Sequence, residues 1–177
     1  MYAFGKIGSG VAKVGKAFGM NVVCWGRDGS TAKAREAGFE VAASREAYFA
    51  ESDIVTLHLP LSKETRGLIT GADLGLMKPT ARLVNSSRAP IIAEGALADA
   101  LTKGRPGFAA VDVYESEPVL NRENPLVCMP NVVCTPHLGY VTWETYELYY
   151  DAVVGNVLAY AAGAPVNVAN PEVLQKK

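Results

Sequence analysis

Along the chain, unbroken apolar runs alternate with stretches whose apolar residues return every three or four positions. The unbroken runs predict strands over 21–25 (NVVCW), 53–61 (DIVTLHLPL, ended by Pro60), 81–87 (ARLVNSS), 107–113 (GFAAVDV) and 131–136 (NVVCTP). The spaced pattern predicts helices over 7–19, 30–38, 70–77, 92–104 and 142–163. The first two stop on Gly19 and Gly38, and the second opens on Ser30 and Thr31, residue types that suit a helix start. Strands rich in Val, Leu and Ile, without polar alternation, are those buried on both faces of a parallel sheet. Repeated strand–helix units therefore predict an α/β fold, a doubly wound and Rossmann-like parallel sheet. Its first strand remains only as Met1–Ala3, truncated and expected to pair incompletely at the sheet centre. Residues 114–131 (YESEPVLNRENPLVCMPN) hold three prolines and no period, the mark of a long loop with a task of its own.

Composition narrows the function classes. Of 177 residues, 49% are hydrophobic and 20% charged, the balance of a soluble globular domain. The formal charge is −1 with no block of like charge, which argues against nucleic acid or an anionic membrane as partner. Cys24, Cys128 and Cys134 sit in apolar runs without CxxC spacing. That pattern predicts buried thiols in a reducing cytoplasm rather than a zinc site or a disulfide framework, and no metal site is expected. No apolar run reaches the roughly 18 residues of a membrane helix, and no secretory leader is expected. The opening MYAFGKIG arrives at its glycines almost at once, as expected of a chain cut from a longer one.

In a parallel α/β sheet a ligand sits beyond the carboxyl ends of the strands. The first such end reads Ala3-x-Gly5-x-x-Gly8 and runs straight into a helical pattern. Gly5 would let the backbone approach a pyrophosphate, Gly8 would let the helix pack on the strand, and the amides around Lys6 and Ile7 would donate. The first glycine of the usual motif is missing, and an ordinary strand–helix turn would look much the same. At the tip of the next strand stand Gly26 and Arg27, where a site for NAD usually carries a carboxylate. Arg27, with Ser30 and Lys33, suits a 2′-phosphate and tilts the expectation to NADP over NAD; a solvated loop arginine is the plain alternative.

Three further strand ends carry Arg88, Glu117 and His137. Taken singly, an exposed turn arginine and a structural histidine explain themselves. Together they make a usable set. An arginine fork can hold a 2-keto acid, an imidazole can protonate its carbonyl oxygen, and a carboxylate on the other ring nitrogen fixes the tautomer. His58, in LHLP, reads as a packed or cofactor-wall residue instead.

The blocks GKIGSGVAKVGKAFGM, DIVTLHLPLSKETRGLI, LVNSSRAPIIAEGAL, AAVDVYESEP and NVVCTPHLGYVTWETY, in this order, resemble those of the D-isomer-specific 2-hydroxyacid dehydrogenases, the phosphoglycerate and glyoxylate/hydroxypyruvate reductase group. The resemblance implies a substrate-orienting role for Arg88, acid–base chemistry at His137 and support from Glu117. It also implies that Asp112 contacts the nicotinamide carboxamide and that Leu59 and Pro60 line the cofactor, with Ser86 and Gly139 completing the cofactor set. A dinucleotide-binding domain over 1–150 follows, with a C-terminal segment over 151–177 that in the family returns to an N-terminal substrate domain. The expected reaction is hydride transfer between NAD(P)H and a small 2-keto acid or D-2-hydroxy acid, in a homodimer, here in truncated form. The alternative is a non-catalytic nucleotide-binding or dimerising remnant. Two departures stand out: Ala3 replaces the first glycine, and the blocks of the substrate domain do not occur.

Overall fold

The computed structural model describes residues 1–175. Four strands, β3 (Ile54–Leu57), β4 (Arg82–Asn85), β5 (Phe108–Val111) and β6 (Val132–Cys134), pair in parallel in that order. A second parallel pair joins β1 (Val23–Cys24) to β2 (Glu40–Val41). Tyr2 bridges the two, pairing in parallel with Trp25 on one side and Leu57 on the other. The spatial order is therefore β2–β1–Tyr2–β3–β4–β5–β6. The chain winds outward one way, returns to the middle and continues the other way, so the switch point lies between Tyr2 and β3.

The first strand is as short as expected, a single bridge at Tyr2, yet its peptide groups bond both neighbours. Along a strand, successive peptide groups point to opposite sides. The Met1 and Ala3 groups face β1, with Trp25 N to Met1 O at 2.9 Å and Ala3 N to Trp25 O at 2.8 Å. The Tyr2 groups face β3, with Tyr2 N to Thr56 O at 2.9 Å and His58 N to Tyr2 O at 3.1 Å. Three residues suffice to bond both neighbours.

Helices α1 (Lys6–Ala17), α2 (Asp28–Glu36), α3 (Arg45–Glu51), α4 (Gly71–Leu76) and α5 (Ala96–Thr102) connect the strands. One core holds Tyr48, Phe49, Leu74 and Leu101 of α3–α5 against Val55, Leu57, Leu83 and Val111. A smaller one gathers Met1, Phe4, Ala12, Cys24, Ala34 and Phe39 around α1 and α2. Met1 and Tyr2 fall in different cores because their side chains leave opposite faces of the sheet. The expectation of strands buried on both faces holds for one face only: Val55, Leu57 and Leu83 are buried, whereas Thr56, Val84 and Ala110 between them are half-buried.

Several local expectations shift. α2 begins at Asp28, not Ser30, because the Ser30 hydroxyl accepts the Phe4 amide at 2.6 Å instead of capping the helix. β2 and α3 were not foreseen; Ser44 caps α3 by accepting from Ala47 N at 3.1 Å. The predicted helix over 92–104 starts only at Ala96, after a 3-10 turn over Ala89–Ile91. Cys24 is buried, but Cys134 is half-buried and Cys128, on a loop turn, is exposed.

The first compact unit ends at His137, and a second begins at Leu138. The 150/151 division expected from the sequence falls inside its helix α6 (Trp143–Ala161). α6 is capped by Thr142, which accepts from Thr145 N at 3.2 Å, and contains no buried residue. Among the described residues no helix is long and apolar enough to cross a membrane, and no group of three His, Cys, Asp or Glu side chains is placed to hold a metal.

Candidate active site

Because the strands of the first unit run parallel, their carboxyl ends share one edge of the sheet. That edge carries Ala3–Gly5, Gly26–Arg27, His58–Pro60, Ser86–Arg88, Asp112 and Thr135–His137 in turn.

At the switch point, Gly5 is the N-cap of α1, with no side-chain cap and no acidic residue in the first turn. Such a helix start presents amide donors and positive dipole to an anion. A Cβ on Gly5 would meet nothing within 4 Å, so this side of the turn is open. A Cβ on Gly8 would instead run into the Ala3 carbonyl oxygen, so Gly8 is what lets α1 lie against the first strand. Ala3 itself has φ +70°, the left-handed region that a glycine occupies without cost. An open glycine beneath an uncapped helix start fits a pyrophosphate. Lys6 and Ile7 occupy the first turn, and the Ile7 side chain is exposed.

His58 stands beside this turn, its ring bonded to Thr56 Oγ1 at 3.0 Å. Burial, with the positive N-terminus nearby, lowers its pKa and favours the neutral ring of a wall residue. Next to it, Leu59 packs partly into the main core, and Pro60 is exposed with its carbonyl accepting from Thr65 Oγ1 at 2.7 Å. Arg27 is exposed at the tip of β1. Its charge reaches Glu64, whose carboxyl is lowered chiefly by the Ser62 hydroxyl. Ser30 uses its oxygen on the Phe4 amide, so beside Arg27 it has only its own O–H to offer a phosphate.

The turn that presents Arg88 is built by Asn85, a residue the sequence reading missed. Asn85 is fully buried at the end of β4; its Nδ2 donates to Arg88 O and its Oδ1 accepts from Ser87 N, both at 3.1 Å. Ser87 Oγ donates to Leu57 O at 3.1 Å and ties the turn to β3. Ser86 and Arg88 are exposed on it, and Arg88 Nη1 donates to Ser87 O at 2.6 Å. An asparagine closing an apolar strand was the available signal.

His137 and Glu117 meet directly, with His137 Nδ1 and Glu117 Oε2 2.6 Å apart. Glu117 Oε1 accepts the Tyr114 amide at 2.8 Å. Partial burial works to raise the Glu117 pKa. The hydrogen bonds from His137 and Tyr114, with the charges of His137 and Arg88, outweigh it and hold the carboxyl below its ordinary value. Arg88 thus acts on the same carboxylate. His137 has φ +57°, a left-handed backbone unusual outside glycine and concentrated at functional sites. Behind it, Thr135 Oγ1 donates to Asp112 Oδ1 at 2.5 Å, and Asp112 is buried. A cleft of about 700 Å³ opens beside the pair, lined mainly by Tyr114, Pro118, Val119, Arg122 and Cys134. Gly139 lies in the second unit.

Residues 1–139 match the family described as D-isomer specific 2-hydroxyacid dehydrogenase, NAD binding domain. The chain belongs to this family. A glyoxylate reductase of Aeropyrum pernix is 44% identical to it over 172 residues, 97% of this chain and 51% of that protein. A solved phosphoglycerate oxidoreductase of Vibrio cholerae superposes with a TM-score of 0.88 at 44% identity, over 92% of this chain and 52% of that one. An acyclic imino acid reductase in complex with NADPH and D-Arg gives 0.74 at 31% identity, over 94% and 52%. The chain spans about half the length of the curated relatives it matches. The glycine turn, the Arg88 turn and the His137–Glu117 pair all lie within the matched region of the NAD-binding domain.

Proposed function

We propose that this chain is the cofactor-binding half of an NAD(P)-dependent D-2-hydroxyacid dehydrogenase that reduces a small 2-keto acid such as glyoxylate or hydroxypyruvate. The observation that carries the reading is the 2.6 Å His137–Glu117 bond on the strand edge that also bears Arg88. A bound nicotinamide supplies the hydride. Arg88 holds the substrate carboxylate through its planar fork. His137, with Nδ1 on Glu117, delivers a proton from Nε2 to the carbonyl oxygen, and Glu117 stabilises the imidazolium and fixes the ring. Asp112, braced by the Thr135 hydroxyl, addresses the carboxamide. Gly5, Lys6, Ile7 and Gly8 cradle the pyrophosphate; Leu59, Pro60 and Ser86 complete the cofactor contacts.

Arg27 favours NADPH over NADH, since Gly26 and Arg27 stand at the β1 tip and the first carboxylate, Asp28, comes only at the start of α2. The nearby Glu64 carboxylate tempers that preference. The exposed apolar side chains of Ile7 on α1 and Phe18 at its C-cap support self-association as a homodimer. The 151–177 segment is assigned to contacts with a substrate domain. The test is a spectrophotometric assay with NADH and NADPH against a panel of 2-keto acids, on the chain alone and joined to a substrate domain of the family. Oxidation of cofactor by one or more 2-keto acids in the joined protein is expected; no turnover with any would defeat the reading.

A further inference from the structure

We propose that Tyr114 is a positioning residue that ties the two halves of the acid–base pair together, its backbone amide holding Glu117 and its phenol holding the segment that ends in His137. The inference rests on the acid–base reading above and adds a residue to it. The Tyr114 amide donates to Glu117 Oε1 at 2.8 Å, and its hydroxyl donates to the Thr135 carbonyl at 3.0 Å. The ring that joins these two anchors is buried, so it has little freedom to move one without the other.

Thr135 is held on three sides. Its amide donates to Val111 O at 3.0 Å, its hydroxyl to Asp112 Oδ1 at 2.5 Å, and its carbonyl receives the Tyr114 phenol. The first two anchors run to β5 and its end; only the third runs to the loop that begins at Tyr114 and carries Glu117. Pro136 follows with its fixed φ, so the orientation of the Thr135 carbonyl passes directly to His137. His137 in turn holds a left-handed backbone, which persists only where the surroundings over-determine it. Removing the phenol oxygen leaves Glu117 on the Tyr114 amide and Thr135 on β5, but uncouples the two from each other. Burial, with Cys134, Asp112 and Glu117 close by, pushes the Tyr114 pKa up, so the hydroxyl remains a donor across neutral pH. The charged and titratable groups around the pair are Glu117 on the imidazole, Arg88 acting on Glu117, Arg122 and Cys134 in the same cleft, and Asp112 behind Thr135.

Tyr114→Phe removes only the hydroxyl and keeps the ring, the packing and the amide bond to Glu117. The readout is the titration of the Glu117 side-chain carboxyl, followed by carbon NMR in the chain as it stands and assigned with Glu117→Gln. In the native chain His137 is among the groups that hold this carboxyl low. Tyr114→Phe should raise its midpoint part of the way to the value in His137→Ala, which marks complete loss of the partner. A midpoint equal to that of the native chain would overturn the proposal, since the phenol would then only satisfy the Thr135 carbonyl. The titration needs no turnover. Failure of the acid–base reading would instead appear as unchanged activity in His137→Ala, with the Glu117 titration unaffected by that result.

Discussion

The Ala3 carbonyl occupies the space that a Cβ on Gly8 would need. This contact lets α1 start tight against the first strand, and both positions favour glycine. Gly8→Ala forces a methyl group onto backbone that cannot give way, and should cost about 1–3 kcal/mol in denaturant unfolding together with weaker cofactor binding. Ala3→Gly relieves the left-handed backbone and should stabilise the chain by about 0.5–1 kcal/mol, the relief being partly offset by the freer unfolded glycine.

Arg27 is exposed at the β1 tip, at the place where a 2′-phosphate would be read. Arg27→Ala should weaken NADPH binding by about 1.5–3 kcal/mol, the range for a hydrogen bond to a charged group, with little effect on NADH. Fluorescence titration with both cofactors measures this directly. Equal losses for the two would mean that Arg27 does not discriminate between them.

Glu117 makes the site sensitive to acid. Its folded pKa is lowered, so the stability its carboxylate contributes is fully present above the ordinary glutamate value of about 4.3 and is lost as pH falls through the lowered folded value. Thermal melts of the native chain and of Glu117→Gln should therefore converge as the solution is acidified through and below that range. A gap between them that stays constant with pH would show that the carboxylate contributes nothing through its ionisation.

Much of this arrangement was legible in the sequence because strand ends and apolar runs mark themselves. The unbroken runs located β1 and β3–β6, and parallel connection then brought Arg88, Asp112 and His137 to one edge. Short elements were harder to read. Glu40–Val41 pairs over two residues only, and Arg45–Glu51 is two turns long, too brief for a period to emerge. Hydrogen bonds made at a distance left no local mark. Ser30 looks like a helix cap and serves Phe4 26 positions earlier in the chain, while the Tyr114 hydroxyl reaches Thr135 21 positions later. Asn85 carried a visible signal, an amide ending an apolar strand, but its part in shaping the Arg88 turn needed the geometry.

The central claim is that His137, held by Glu117, is the acid of a ketone reduction. It is tested most directly by His137→Ala in the chain joined to a substrate domain, with turnover and cofactor affinity measured on the same preparation. His137→Ala should lower kcat roughly 10²–10⁴-fold, the usual contribution of a general acid, with the cofactor Kd essentially unchanged. An unchanged kcat would contradict it.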